Sequence, residues 1–250
     1  MGEPGVSEIL PWITLVVCAA AALARIPSTV RGVNPALFFI FLLATAAAVL
    51  SIEQFYVAID GALGGINIAH VLLRLIVFAT IHLIAVRVTK GFGAPDAHRM
   101  IAGPRGLAVL AIFSVALVTV FLMMDAAASS VRFQDAGTVS PRNEALLPFY
   151  WAAARGYLAY VSLALLPALL RSVKERLPPL VRAGAALMAA GAAATVAGFF
   201  LEFSPAHLLP AAPAVNNGAV VFYTSGLVMV WLARVKAAQG RSHGTSSTGR

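Results

Sequence analysis

The stretch Ile66–Val88 reads INIAHVLLRLIVFATIHLIAVRV, and its length decides the fold. A hydrocarbon bilayer core is crossed by about 20 mostly apolar residues in a helix. The apolar positions do not alternate with the period of two that a membrane barrel strand needs. A helix closes its backbone hydrogen bonds within the segment, so it is the spanning form expected here. What sets the stretch apart is Arg74, an obligate cation near its middle.

Six further segments have the same character: Ile9 to Ile26, Pro35 to Ile52, Gly106 to Ala127, Leu146 to Leu170, Leu180 to Leu201 and Val215 to Val235. Turn-forming residues separate them, among them Gly64, Gly65, Pro95, Pro104, Pro178, Pro179 and Pro205. Composition agrees. Of 250 residues, 60% are hydrophobic and 11% charged, with a mean hydropathy of +0.87. Soluble domains carry about 45–50% apolar and about 25% charged residues. Water is therefore the wrong solvent for most of this chain, which excludes a soluble enzyme, a nucleic-acid-binding domain and a disordered protein.

The fold class expected is an all-α polytopic membrane protein with seven transmembrane helices. They are expected to form a single bundle over residues 1–238, with a disordered cytoplasmic tail over 239–250. The first span carries Glu3 and Glu8 ahead of it and no Lys or Arg, so a retained helix is expected rather than a signal peptide.

Charge placement orients the bundle. Arg25, Arg31, Arg87, Lys90, Arg99, Arg105, Arg171, Lys174, Arg176, Arg182, Arg234, Lys236, Arg241 and Arg250 lie at the C-terminal ends of spans 1, 3, 5 and 7, in the stretches after them or, for Arg182, at the start of span 6. The alternate intervals hold only Arg132 and Arg142 as basic residues, with most of the acids. The positive-inside rule then places the N-terminus outside and the C-terminus in the cytoplasm. The net charge of +8 reads as orientation and attraction to anionic lipid, not as a nucleic-acid site. Trp12, Trp151 and Trp231 stand near span ends, as interfacial anchors do. The single cysteine, Cys18, reads as a small apolar residue.

Two arginines lie deep within spans, Arg74 in the third and Arg155 in the fifth. Each is about nine residues from the outer end, or about 13 Å along a helix. An arginine at that depth costs about 2.5–3.5 kcal/mol even on insertion scales, so both are expected to face the interior. His70 stands one turn from Arg74 on the same face, with Asn67 nearby. Trp151, Arg155 and Ser162 share a stripe of span 5. Asp60, Asp125 and Glu202 are candidate counter-charges, and Asn217 and Tyr223 on span 7 add hydrogen-bonding capacity.

Two readings stay open. In one, Arg74, Arg155, His70, Asn67, Tyr223 and Asn217 line an outward-facing polar pocket for a small anionic ligand. In the other, buried carboxylates neutralise the arginines and lock helices together. No HExxH, GxSxG or phosphate-binding loop is present, so no catalytic residue, metal or cofactor is expected. Gly184, Gly191 and Gly198 recur every seven residues in span 6. Small residues let membrane helices approach closely, which marks this span as a packing core.

The run IDGALGGINIA over Ile59–Ala69 resembles a known group, as does Arg171–Gly198, where a Lys174-Glu175-Arg176 turn precedes Arg182 and the glycine-bearing helix. Together they look like actinobacterial seven-helix integral membrane proteins of unknown function, often labelled as transporters. The resemblance implies a bacterial plasma membrane and carries over no catalytic residues. Such proteins commonly continue into a cytoplasmic C-terminal domain, whereas this sequence stops shortly after span 7, so roles that depend on that domain are not expected. The function expected is a non-enzymatic, transporter-like or ligand-sensing bundle, with the bilayer and a membrane or cytoplasmic protein as partners. The alternative is a structural or assembly subunit packed against another membrane protein.

Overall fold

A computed structural model describes residues 6–32, 35–125, 140–201, 203–204 and 212–244, and every regular element among them is an α-helix. In chain order they are α1 (Val6–Val30), α2 (Pro35–Leu50), α3 (Glu53–Ala62), α4 (Ile68–Gly91), α5 (Pro95–Ala102), α6 (Pro104–Met123), α7 (Pro141–Lys174), α8 (Pro179–Leu201) and α9 (Ala212–Gly244). Five are long and apolar enough to cross a membrane: α4, α6, α7, α8 and the Ala214–Ala233 part of α9.

The first two expected spans take a different form. The apolar part of α1 runs from Pro11 to Pro27, a shorter stretch than the other candidates. The second span breaks after 16 residues. Ile52 adopts an extended backbone, and the chain turns by 91° into α3, a helix within an interval read as a turn. Counting the bent pair as one span brings the candidates to six. At the other end, α9 runs to Gly244, so helix continues into the stretch expected to be a disordered tail.

The chain forms two compact units, Met1–Arg87 with Pro104–Tyr157, and Val88–Gly103 with Leu158–Arg250. In the first, α4 and α7 run parallel. His70 meets Tyr150 near the start of both, and His82 meets Tyr157 further along both. Ser140 opens α7 as its cap, accepting the Asn143 N–H on its hydroxyl, and Pro141 follows where a missing N–H costs nothing. The α6–α7 contact is close. A Cβ on Gly156 would run into the Phe113 ring.

In the second unit, α8 and α9 pack antiparallel along the glycine heptad. Gly184 faces Gly226 and Val230, Gly191 faces Ala219 and Tyr223, and Gly198 faces Asn216. All three glycines of α8 are buried. Lipid gives helices no hydrophobic reason to associate, so close backbone approach is what holds such a pair. Large apolar side chains such as Val220, Val221, Val228 and Trp231 stay exposed on α9, where a membrane's acyl chains would cover them.

Candidate functional site

The first unit gathers Arg74, Arg155, His70 and Asn67 around α4 and α7, and one aromatic residue joins the cations. The Arg74 guanidinium carbon lies 4.9 Å from the centroid of the Trp151 ring, and that of Arg155 lies 5.6 Å from the same centroid. Spacing explains one half of this. Arg155 follows Trp151 by four residues and so sits one helical turn along the same face. Arg74 arrives from α4. Arg74 and Arg155 are part-buried, where a cation–π contact contributes about 0.5–2 kcal/mol and offsets part of their desolvation. It does not satisfy N–H donors. The Arg74 Nε is buried with no hydrogen-bond partner among the described residues.

Trp151 is itself held by rings. His70 meets it edge-on at 5.9 Å between centroids, and Tyr150 does so at 5.8 Å. The His70 Nδ1 and the Tyr150 hydroxyl are 2.7 Å apart, and both residues are almost fully buried. Three side chains from two helices, His70, Tyr150 and Trp151, therefore set the ring that Arg74 approaches.

The turn into α4 supports this cluster. Asn67 has φ of +66°, the one non-glycine residue with a left-handed backbone among the described residues. Asparagine tolerates that conformation better than most residues. Its side-chain oxygen accepts the Tyr56 hydroxyl at 2.9 Å. Asp60 completes the turn. Its Oδ2 accepts the Asn67 N–H and its Oδ1 the Ala69 N–H, each at 2.9 Å. An acid at a helix N-terminus satisfies donors that the helix cannot and complements the dipole. Asp60 and Tyr56 have 0% exposure, so these bonds are shielded from water.

Replacing Asn67 by alanine is expected to lower the thermal midpoint more than replacing it by glycine. Both lose the Tyr56 bond, but alanine also bears the left-handed penalty of about 1–2 kcal/mol. Heating the detergent-solubilised variants and following the folded peak by size exclusion checks the order.

The other expected site residues lie elsewhere. Asp125, at the end of α6, accepts the Ser140 hydroxyl on Oδ2 at 2.6 Å, and its backbone N–H and carbonyl both bond the Asn143 side chain. That clasp ties the end of α6 to the start of α7. Tyr223 belongs to the second unit, where its hydroxyl lies 3.0 Å from the Ser162 Oγ. Asn217 is exposed on α9. Glu202 lies outside the described residues.

Sequence reasoning missed the shared indole, the hydroxyl contacts of Tyr56 and Tyr150 and the capping contacts of Asp60. The Trp151–Arg155 spacing was the available signal for the first. A cavity of about 380 Å³ opens among α1, α2 and α4, with Pro11, Ala44, Ser51 and Thr80 in its walls. The Ser51 and Thr80 hydroxyls bond carbonyls of their own helices, Ala47 and Ile76, so neither offers its proton to an anion. Compared with protein families, curated proteins and solved structures, the chain matches none.

Proposed function

We propose that this chain is a non-enzymatic plasma-membrane protein of seven spans, N-terminus outside, which binds a small anionic ligand at Arg74 and Arg155. It works as a carrier or a ligand sensor. The placement of basic residues on alternate intervals supports the topology, and the parallel run of α4 and α7, with α6 between them in sequence, agrees with it. The resemblance of Ile59–Ala69 and Arg171–Gly198 to bacterial membrane proteins supports the location.

One observation carries the ligand reading. Two guanidinium groups converge on one indole, and Arg74 keeps a buried N–H with no described partner. A buried donor left unsatisfied costs about 1–3 kcal/mol, more for a charged group. An anion arriving there recovers that energy and neutralises charge in a low-dielectric setting.

The test is ligand-dependent stability of the purified protein in maltoside detergent. A ligand at 100 times its Kd stabilises by about 2.7 kcal/mol. The thermal midpoint is expected to rise with added acetate, phosphate or chloride in the native protein and to lose that dependence in Arg74→Ala/Arg155→Ala. If the double variant starts lower but keeps the same dependence, the arginines are helix locks and the subunit reading replaces this one. Anion flux in proteoliposomes separates carrier from sensor.

A further inference from the structure

We infer that the group taken at this site is an oxyanion, carboxylate or phosphate, received edge-on by the Arg74 guanidinium while Trp151 holds its face. The inference rests on the anion-binding reading above and narrows it to one chemistry.

A guanidinium has five N–H donors, all in its plane. A cation–π contact uses no N–H donor, so it leaves the in-plane donors to other partners. The Arg74 guanidinium carbon lies 4.9 Å from the Trp151 ring centroid, and the unpartnered Nε belongs to its in-plane donor set. The edge formed by Nε and one terminal nitrogen presents two parallel N–H bonds, a spacing that matches two oxygens of a carboxylate or phosphate. A halide presents a single centre, which two parallel N–H bonds must share, so it gains less from the fork. It would be served nearly as well by a lysine.

Direction is fixed as well as chemistry. The Trp151 plane is set by His70 and Tyr150, which are hydrogen-bonded to each other. Arg74 follows His70 by one turn of the same helix. The fork is thus oriented before the ligand arrives, and less side-chain freedom is lost on binding. Arg155 over the same ring adds a second positive charge and favours an anion over a neutral amide of the same shape.

The oxyanion could belong to a small water-soluble acid or to a lipid phosphodiester, and the experiment separates them. Full-length protein in maltoside detergent is titrated with acetate, inorganic phosphate, chloride or phosphatidylglycerol, and apparent affinities are taken from the thermal midpoint. In the native protein, at least one oxyanion probe is expected to bind ten times more tightly than chloride. Arg74→Lys keeps the charge and removes the fork. It is expected to weaken the oxyanion at least tenfold and chloride less than twofold.

A response to acetate or phosphate assigns a soluble ligand, and a response to phosphatidylglycerol alone assigns a lipid. Chloride binding as tight as the oxyanions, or an oxyanion response untouched in Arg74→Lys, overturns the inference and leaves the anion site standing. No response to any probe overturns both. Should Arg74→Lys fail to fold, the native preference for oxyanion over chloride still decides.

Discussion

Gly226→Leu drives α8 and α9 apart, and its thermal midpoint in detergent falls further than that of any lipid-facing substitution on α9. The obstacle is reciprocal. A Cβ on Gly226 would lie 2.7 Å from the Gly184 carbonyl oxygen, and a Cβ on Gly184 would lie 2.8 Å from the Gly226 carbonyl oxygen. Side chains at this contact, Met188 and Val230, can rotate away. Backbone carbonyls inside two helices cannot. Overpacking ordinarily costs about 1–3 kcal/mol and occasionally more, and the upper end is expected where main chain meets main chain. Val228→Leu, on an exposed position of the same helix, is the control and should leave the midpoint unchanged.

A double-mutant cycle sharpens the expectation. Gly184→Ala and Gly226→Ala spoil the same approach, so once the first has separated the helices the second has little left to disturb. The double variant should lose clearly less than the two single losses added together. Full additivity would mean that the two glycines act independently and that their close approach is not what holds the pair.

This heptad was legible because its meaning is local. Three small residues at a spacing of seven mark one stripe of a helix, whichever helix they meet. The apolar runs that became α4, α6, α7, α8 and α9 were legible for a similar reason, since hydropathy measures how long a segment is. It does not measure direction. Residues 53–62 read EQFYVAIDGA, too mixed for a span, and no proline or glycine at Ser51–Ile52 announces the 91° turn into α3. The convergence of Arg74 on Trp151 needed the register of α4 against α7, which no single-helix pattern contains. Tyr150 and Tyr157, seven apart on α7, receive His70 and His82 of α4. That spacing was in the sequence, but its partners were not.

Asp60, by sequence a candidate counter-charge to an arginine, makes the contacts of a helix cap. Its two oxygens accept the Asn67 and Ala69 N–H groups in a site closed to solvent. Asp60→Ala leaves both donors buried without that acceptor, at about 1–3 kcal/mol each, and removes a negative charge from the start of α4, worth up to about 2 kcal/mol in a buried setting. A fall in thermal midpoint larger than that of Asn67→Ala is expected. Hydrogen exchange should speed up over residues 63–70 and stay unchanged over α8. The conservative variant tells capping from ion pairing. Asp60→Asn keeps one carbonyl oxygen for one N–H, so a cap retains about half its worth, whereas an ion pair loses its charge entirely and behaves like Asp60→Ala. An intermediate midpoint for Asp60→Asn therefore favours the cap, and identical midpoints for the two variants favour the counter-charge. The difference reaches the proposed anion site, because Asp60 holds the turn that sets Asn67 and the first turn of α4, from which His70 and Arg74 project. If Asp60 is the cap, Asp60→Ala weakens the anion response together with local exchange protection, and Asp60→Asn preserves a share of both.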